Sequence, residues 1–509
     1  MINKNKVLDT NKLFLLRLKH KNRRIVLCHG VFDLLHIGHI NYFKSAKKLG
    51  HILVVSITDD QFVNKGPGRP AFKINDRVKF LKEINCIDFI CVSRDYTAEK
   101  VIKFLKPNIY CKGKDYSTNK KNKKDLNLSK EVKAIKSVKG KFSTVDEKIF
   151  SSSKYINDND LQDFSDNCKK YISSIRDDFS LNLISKNLKD LSKKKVLIIG
   201  ETIIDNYITT EAIGKSGKEP VMVVKQKNKI KFLGGVGYIA NLCSSFSKKT
   251  NIISFLGEKK DEKNFVLQNL NKKIKYKFLY KKNSPTIFKT RYLDDYRKSK
   301  IIGIYDLNDE PISKNEENKF YNLIKKEIKK NDIIIVADYG HGIITERIRK
   351  LILGSSKKLF LNTQINSFNR GYHTVFKYNK INSLVINDSE LRYEIGDKNS
   401  SIISLAKILR KKVIFNKLIV TQGRSGAFLI DCKDWSSTFC PAFNENSIDT
   451  VGAGDTFFAL ASLCLGSKMD NRLSLLISSL AASFSTNQLG NISIFNYDIL
   501  KKQLNHILK

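Results

Sequence analysis

His29-Gly30-Val31-Phe32-Asp33-Leu34-Leu35-His36-Ile37-Gly38-His39 stands just after the apolar run Ile25–Leu27, with Cys28 between. A strand that stops at a glycine and turns into a helix aims backbone N–H groups and side chains at one point, and that point suits a phosphate. His36 and His39 stand at i and i+3 where the loop enters the helix, so both can face one ligand. Imidazoles there can steady charge on an α-phosphate under attack, a chemistry of positioning and electrostatics. The bland alternative is two helix-start histidines without a role. Far along the chain stands a second phosphate-handling string, Asp449-Thr450-Val451-Gly452-Ala453-Gly454-Asp455. Its glycines let N–H groups converge on an anion at a helix start, where the helix dipole favours negative charge. Asp455 beside them is placed to take a proton from an attacking hydroxyl. Two such strings on one chain point to two active centres.

Around the first string, short apolar runs alternate with helical patterns. Ile25–Leu27, Ile52–Ile57, Phe89–Val92 and Ile109–Cys111 read as buried strands, with helices at His39–Leu49 and Asn75–Ile84. This alternation predicts a parallel sheet with helices on both faces. The pattern gives a first domain over 1–156, then a polar segment with helix-like apolar spacing (Tyr171, Ile175, Phe179, Leu183), read as a helical linker over 157–194. A second α/β block fills 195–509. Its strand candidates are Val196–Ile199, Ile252–Phe255, Ile333–Val336, Leu359–Leu361, Leu384–Ile386 and Leu418–Val420. Gly214–Lys231 and Lys281–Asp306 read as antiparallel strands of a small β lid, and the region after Asp449 as closing helices.

A chain of 509 residues with 41% apolar content fits two or three domains. The formal charge of +42 raises a nucleic-acid or anionic-membrane surface as one reading. That reading predicts tight, salt-sensitive binding to DNA or anionic vesicles. The basic runs are short, lysine-dominated, scattered and not interleaved with aromatics, so the expectation is no nucleic-acid and no membrane partner. Nine cysteines without a Cys-x-x-Cys pair argue against structural zinc or a disulfide framework. The polar start shows no secretory signal, and the longest apolar run is about half a membrane span. A soluble cytoplasmic protein is expected.

The segment from Arg24 to Ile156 resembles the cytidylyltransferase-like nucleotidyltransferases. His36-Ile37-Gly38-His39 matches their His-x-Gly-His, Phe32-Asp33 their Phe-Asp, and Asn75-Asp76-Arg77 their arginine-bearing helix start. Lys65 falls on their phosphate-binding lysine. Lys112 and Asp115, in Lys112-Gly113-Lys114-Asp115-Tyr116, match the substrate segment of the sugar-phosphate members. Ser151-Ser152-Ser153-Lys154 matches the triphosphate motif, and a helix cap is compatible with that use. Asp146 stands where many members carry an arginine. The resemblance implies a Rossmann-like domain that joins an NTP, CTP or ATP, to a phosphorylated sugar or polyol with Mg²⁺. His36, His39 and Lys65 would be catalytic, and Phe32, Asp33, Arg77 and the three serines would bind the nucleotide.

From Lys195 onward the chain resembles the ribokinase-like (PfkB) carbohydrate kinases. Gly452-Ala453-Gly454-Asp455 matches their anion cradle and base, and Gly234-Gly235 and Asp205 their sugar-side residues. Asn387-Asp388-Ser389-Glu390 matches the Asn-x-x-Glu that holds Mg²⁺ through water, and Thr421-Gln422-Gly423 the nucleotide-side Thr-x-Gly. Asp338-Tyr339-Gly340-His341-Gly342 matches a strand-end Asp-Tyr-x-x-Gly. Lys218-Glu219-Pro220-Val221 is similar to a string of the heptose-phosphate kinases, which are often fused to a His-x-Gly-His transferase in the opposite order. Tyr238 and Asn362-Thr363-Gln364 depart from the usual sugar-side residues. Together the resemblances imply ATP-dependent phosphorylation of a sugar or sugar phosphate, then nucleotidyl transfer to give an NDP-sugar. The alternative keeps only one half catalytic. The expected partners are small sugar phosphates and nucleotides, with a homodimer left open.

Overall fold

The computed structural model describes residues 6–9, 12–63, 70, 72–113, 126–145, 164–258, 262–355, 357–444, 447–492 and 495–508. Lys65, Asp115, Ser151, Ser152 and Ser153 lie outside the described residues. The chain divides into two compact units, Met1–Asp163 and Phe164–Lys509.

The first unit runs β1 (Val7–Leu8), α1 (Lys12–Lys19), β2 (Ile25–Gly30), α2 (Ile37–Lys48), β3 (Ile52–Thr58), α3 (Ile74–Lys82), β4 (Phe89–Ser93), α4 (Glu99–Leu105), β5 (Ile109–Gly113), α5 (Leu126–Ser137) and β6 (Lys141–Val145). Its sheet has the order β1-β4-β3-β2-β5-β6, and every pairing is parallel. Successive strand residues point to opposite faces. Ile25 and Leu27 enter one apolar cluster, and Val26 and Cys28 enter another. Burial on both faces explains why the strands read as unbroken apolar runs.

The second unit opens with α6 (Asp166–Asp178), α7 (Leu181–Leu191), β7 (Lys195–Gly200), β8 (Thr202–Lys215), β9 (Met222–Gly234), α8 (Gly235–Ser244), β10 (Lys249–Gly257), α9 (Lys263–Asn269), β11 (Lys275–Lys281), β12 (Ile287–Asp294) and β13 (Lys300–Asp306). It continues with α10 (Lys314–Ile328), β14 (Ile333–Asp338), α11 (Glu346–Leu353), β15 (Lys358–Thr363), β16 (Lys380–Asn387), α12 (Asp388–Ile395), α13 (Ile402–Lys412), β17 (Ile414–Thr421), β18 (Ala427–Asp431), β19 (Ser436–Cys440), α14 (Ala453–Gly466), α15 (Asn471–Thr486) and α16 (Tyr497–Ile507). A nine-stranded sheet has the order β11-β10-β7-β14-β15-β16-β17-β18-β19.

Two features differ from the sequence reading. The described part of the segment read as a linker forms α6 and α7, which pack within the second unit. Tyr171 Oη donates to Arg472 O at 2.8 Å, and Arg176 Nε donates to Ile507 O at 2.9 Å. The lid is also not purely antiparallel. Its four strands run β13-β12-β8-β9, and the central β12–β8 pair is parallel. The chain leaves the lid after β9, builds α8 to β11 in the main unit, and returns to lay β12 on β8. A crossover of that length permits a parallel pair. The lid therefore starts at Thr202 and carries Asp205 on its first strand. No described helix is long and apolar enough to cross a membrane.

Candidate active sites

In the first unit, α2 starts at Ile37 with His36 as its cap; His36 Nδ1 accepts the Gly38 N–H at 3.1 Å. The His36 and His39 rings come together, with centroids 4.1 Å apart. Phe32 holds a left-handed backbone at φ 47°, rare for an aromatic residue. Its ring meets the His39 ring edge-on at 5.8 Å. Strain of this kind concentrates at functional sites.

Three residues expected at the ligand are engaged by the protein. Arg77 is 0% exposed. Its guanidinium donates to Phe72 O (2.9 Å), Val31 O (2.6 Å), Thr58 O (3.0 Å) and Asp60 Oδ1 (2.6 Å). It ties together the loops after β2 and β3 and the chain before α3, so it braces the site from behind. Asp33 is buried, and its Oδ1 accepts the Phe72 N–H at 3.0 Å. Lys112 is buried too; its ammonium donates to His29 O at 3.2 Å and lies 3.5 Å from Glu131 Oε2. Glu131 also accepts from Tyr110 Oη at 2.8 Å and from the Ala98 N–H at 2.9 Å. The sequence reading missed this carboxylate, because it arrives on α5 with no motif around it.

The second unit holds a cleft of about 530 Å³ lined by Asp205, Gly235, Asn387, Glu390, Thr421, Gly452, Gly454 and Asp455. The sequence-predicted residues thus converge from β8, α8, β16, α12, β17 and α14. Gly452 caps α14 at φ 78°, and a Cβ there would fall 1.9 Å from Asn491 Oδ1, so only glycine fits. Gly234 passes so near Asp205 that a Cβ would lie 2.4 Å from Oδ2. Burial pushes the Asp455 carboxyl up to about 6, against the pull of the Tyr339 hydroxyl, which donates to Oδ1 at 2.8 Å. Asp205 is ion-paired with Arg291 and accepts from Asn491 Nδ2 at 2.9 Å.

Asn387 and Glu390 form a capping box at the start of α12. Glu390 accepts the N–H groups of Asn387 and Ile365, both at 3.1 Å, and burial pushes its carboxyl up to about 7. Each Glu390 oxygen accepts one N–H and keeps a lone pair open to a further donor such as water. Among the described residues, no group of three or more His, Cys, Asp or Glu side chains is arranged to hold a metal. An adjoining pocket of about 300 Å³ is lined by Thr421, Gly423, Arg424, Phe443, Ala453 and Gly454.

Several cleft residues escaped the sequence reading. Lys289 is 8% exposed and lies over the rings of Tyr305 and Tyr339, 5.8 Å from each centroid. Its ammonium has no hydrogen-bond or ion-pair partner among the described residues. A detectable signal was present: Lys289 and Arg291 stand at i and i+2 on one strand, hence on one face. Tyr238, where an asparagine was usual, is buried and bonds Thr456 Oγ1 at 2.9 Å, next in the chain to Asp455.

Residues 193–496 match the pfkB family of carbohydrate kinases. The chain belongs to that family. Residues 27–174 match the cytidylyltransferase-like family, so this pfkB chain carries the two modules in the order read from the sequence. It is similar to the bifunctional protein HldE of Aliarcobacter butzleri (strain RM4018), 27% identical over 59% of this chain and 63% of that protein. It is also similar to the bifunctional protein HldE of Campylobacter fetus subsp. fetus (strain 82-40), 39% identical over 26% of this chain and 28% of that protein. The matched stretches thus span 63% and 28% of the lengths of those two relatives. Phosphofructokinase-2 from Escherichia coli, solved in complex with potassium, aligns with 62% of this pfkB chain and all of its own at a TM-score of 0.50 and 13% identity. That likeness extends to the fold.

Proposed function

We propose that the chain is a bifunctional sugar-activating enzyme. The second unit phosphorylates a hydroxyl of a sugar or sugar phosphate, heptose-like, with ATP. The first unit transfers a nucleotidyl group from CTP or ATP to the resulting sugar phosphate, releasing pyrophosphate. One observation carries the reading: a partly buried carboxylate, Asp455, sits in the first turn of a helix whose amino end opens on a cleft beside Asp205.

In the kinase step, Asp455 takes the proton of the acceptor hydroxyl as its oxygen attacks the γ-phosphorus. The amides at Gly452, Ala453 and Gly454 stabilise the transferring charge. Thr421 and Gly423 line the nucleotide pocket, and Asp205 with Gly234 and Gly235 shapes the acceptor end. Asn387 and Glu390 would hold Mg²⁺ through water; the ion neutralises phosphate charge. In the nucleotidyl step, His36 and His39 steady the α-phosphate, and Lys65 and Ser151 to Ser153 hold the triphosphate. The cysteines are free thiols, which fits a cytoplasmic setting.

The test is to incubate the protein with six- and seven-carbon sugar phosphates plus MgATP and MgCTP and to search for NDP-sugar masses. His39→Ala should abolish pyrophosphate release and leave ADP release, and Asp455→Asn the reverse. Loss of neither product in a variant would remove that half of the reading.

A further inference from the structure

We propose that Tyr339 is a positioning residue for the kinase base: its hydroxyl clamps one oxygen of Asp455 and leaves the other to face the acceptor. The inference rests on the assignment of Asp455 as that base. Tyr339 lies in the turn after β14 and is 2% exposed. Its hydroxyl donates to Asp455 Oδ1 at 2.8 Å.

The other end of the residue is fixed independently. Its N–H donates to Glu201 Oε2 at 3.0 Å, and the same carboxyl takes the His341 N–H at 3.1 Å. Its carbonyl accepts from Asn366 Nδ2 at 3.0 Å and Asn369 Nδ2 at 2.9 Å. A ring whose backbone is held by three hydrogen bonds, and whose hydroxyl ends on a carboxylate, acts as a strut. Burial pushes the Tyr339 phenol far above its ordinary value, so it stays a donor through the working pH range. A donor to the charged form of a carboxyl favours that form. The hydroxyl therefore keeps Asp455 ionised where burial opposes ionisation. With Oδ1 occupied, Oδ2 is the oxygen left to take a proton.

The test uses the full chain, MgATP, and whichever sugar phosphate of the panel above gives most ADP, over pH 5 to 9. The Tyr339→Phe variant should move the acidic limb of kcat to higher pH. Turnover near pH 6 should fall about fivefold, the effect of raising a pKa of about 6 by one unit, with most of it recovered near pH 8.5 and KM for ATP unchanged. Replacing Tyr339 by 3-fluorotyrosine, a stronger donor, should move the limb the other way, and this variant carries the test if Tyr339→Phe does not fold. An equal loss at every pH, or a limb unmoved by fluorination, overturns the proposal. Asp455→Asn is run alongside. If it retains ADP release, the base assignment itself has failed; if it is inactive while the Tyr339 variants leave the limb in place, only the strut has.

Discussion

Arg77 and His36 separate what holds the first site from what works in it. The Arg77 guanidinium is wholly buried and donates to three carbonyls and Asp60. Removing one member of a buried pair leaves the rest uncompensated, at about 3–5 kcal/mol. Arg77→Met should therefore lower the unfolding free energy of the first unit by about that amount in urea titration. Arg77→Lys should recover little, because an ammonium cannot span the fork. His36 caps α2, and the proposed function gives its imidazole a second duty at the α-phosphate. Asparagine caps as well as any residue. His36→Asn should leave the melting temperature near native while pyrophosphate release falls about 10²–10³-fold, the effect of losing one charge-stabilising donor. A matching fall in stability would make His36 a cap alone. At this scale the motif strings were legible, because each fixes chemistry and spacing within a few residues. Arg77 was legible as a residue but not as a brace, since its partners lie on other loops. Glu131 carried no local pattern and became visible only once distant elements met, whereas Lys289 was signalled only by its i, i+2 pairing with Arg291 on one strand face.

At the scale of elements, Asp449 joins the lid to the anion loop. Its carboxylate accepts from Tyr207 Oη on β8 at 2.6 Å and lies 2.9 Å from Lys300 Nζ on β13. It also takes the N–H groups of Val451 and Gly490, both at 3.1 Å. Lid position and the shape of the Gly452 turn are thereby coupled. The Lys300 side chain is 40% exposed, so the ion pair contributes under about 1 kcal/mol to stability. Lys300→Met should leave the melting temperature almost unchanged and lower kcat/KM for ATP severalfold, read from steady-state ADP release. Unaltered kinetics would mean that Tyr207 alone sets the coupling. The main strands were readable because burial on both faces leaves apolar runs. β11, with its alternating Lys275-Tyr276-Lys277-Phe278 pattern at a sheet edge, and the two-residue β1 give no such run. The β12–β8 register follows from a crossover, which no local pattern encodes.

Across the whole molecule, the +42 charge comes mostly from lysines, which keep their protons well above neutrality. The pH dependence of stability just above neutrality therefore reports buried groups instead. His29 and His341 are pushed down by burial to about 4 and about 3, so both are already neutral above pH 6.5. Glu201 is different: burial, reinforced by the Asp338 charge, pushes its carboxyl up to about 8. Between its ordinary value of 4.5 and about 8, the folded state keeps a proton that the unfolded state has lost. The folded state then binds more protons, so unfolding free energy must fall as pH rises through that window. From pH 6.5 to 8 the loss should be on the order of 1–2 kcal/mol, with Glu390 adding to it up to about 7. Glu201→Gln removes the titration but turns an amide N–H₂ toward the N–H of Tyr339 or His341. Its melting temperature should be lower at every pH, and its slope from 6.5 to 8 clearly flatter, in thermal scans at closely spaced pH. A slope equal to that of the native chain would show that Glu201 does not titrate in this interval.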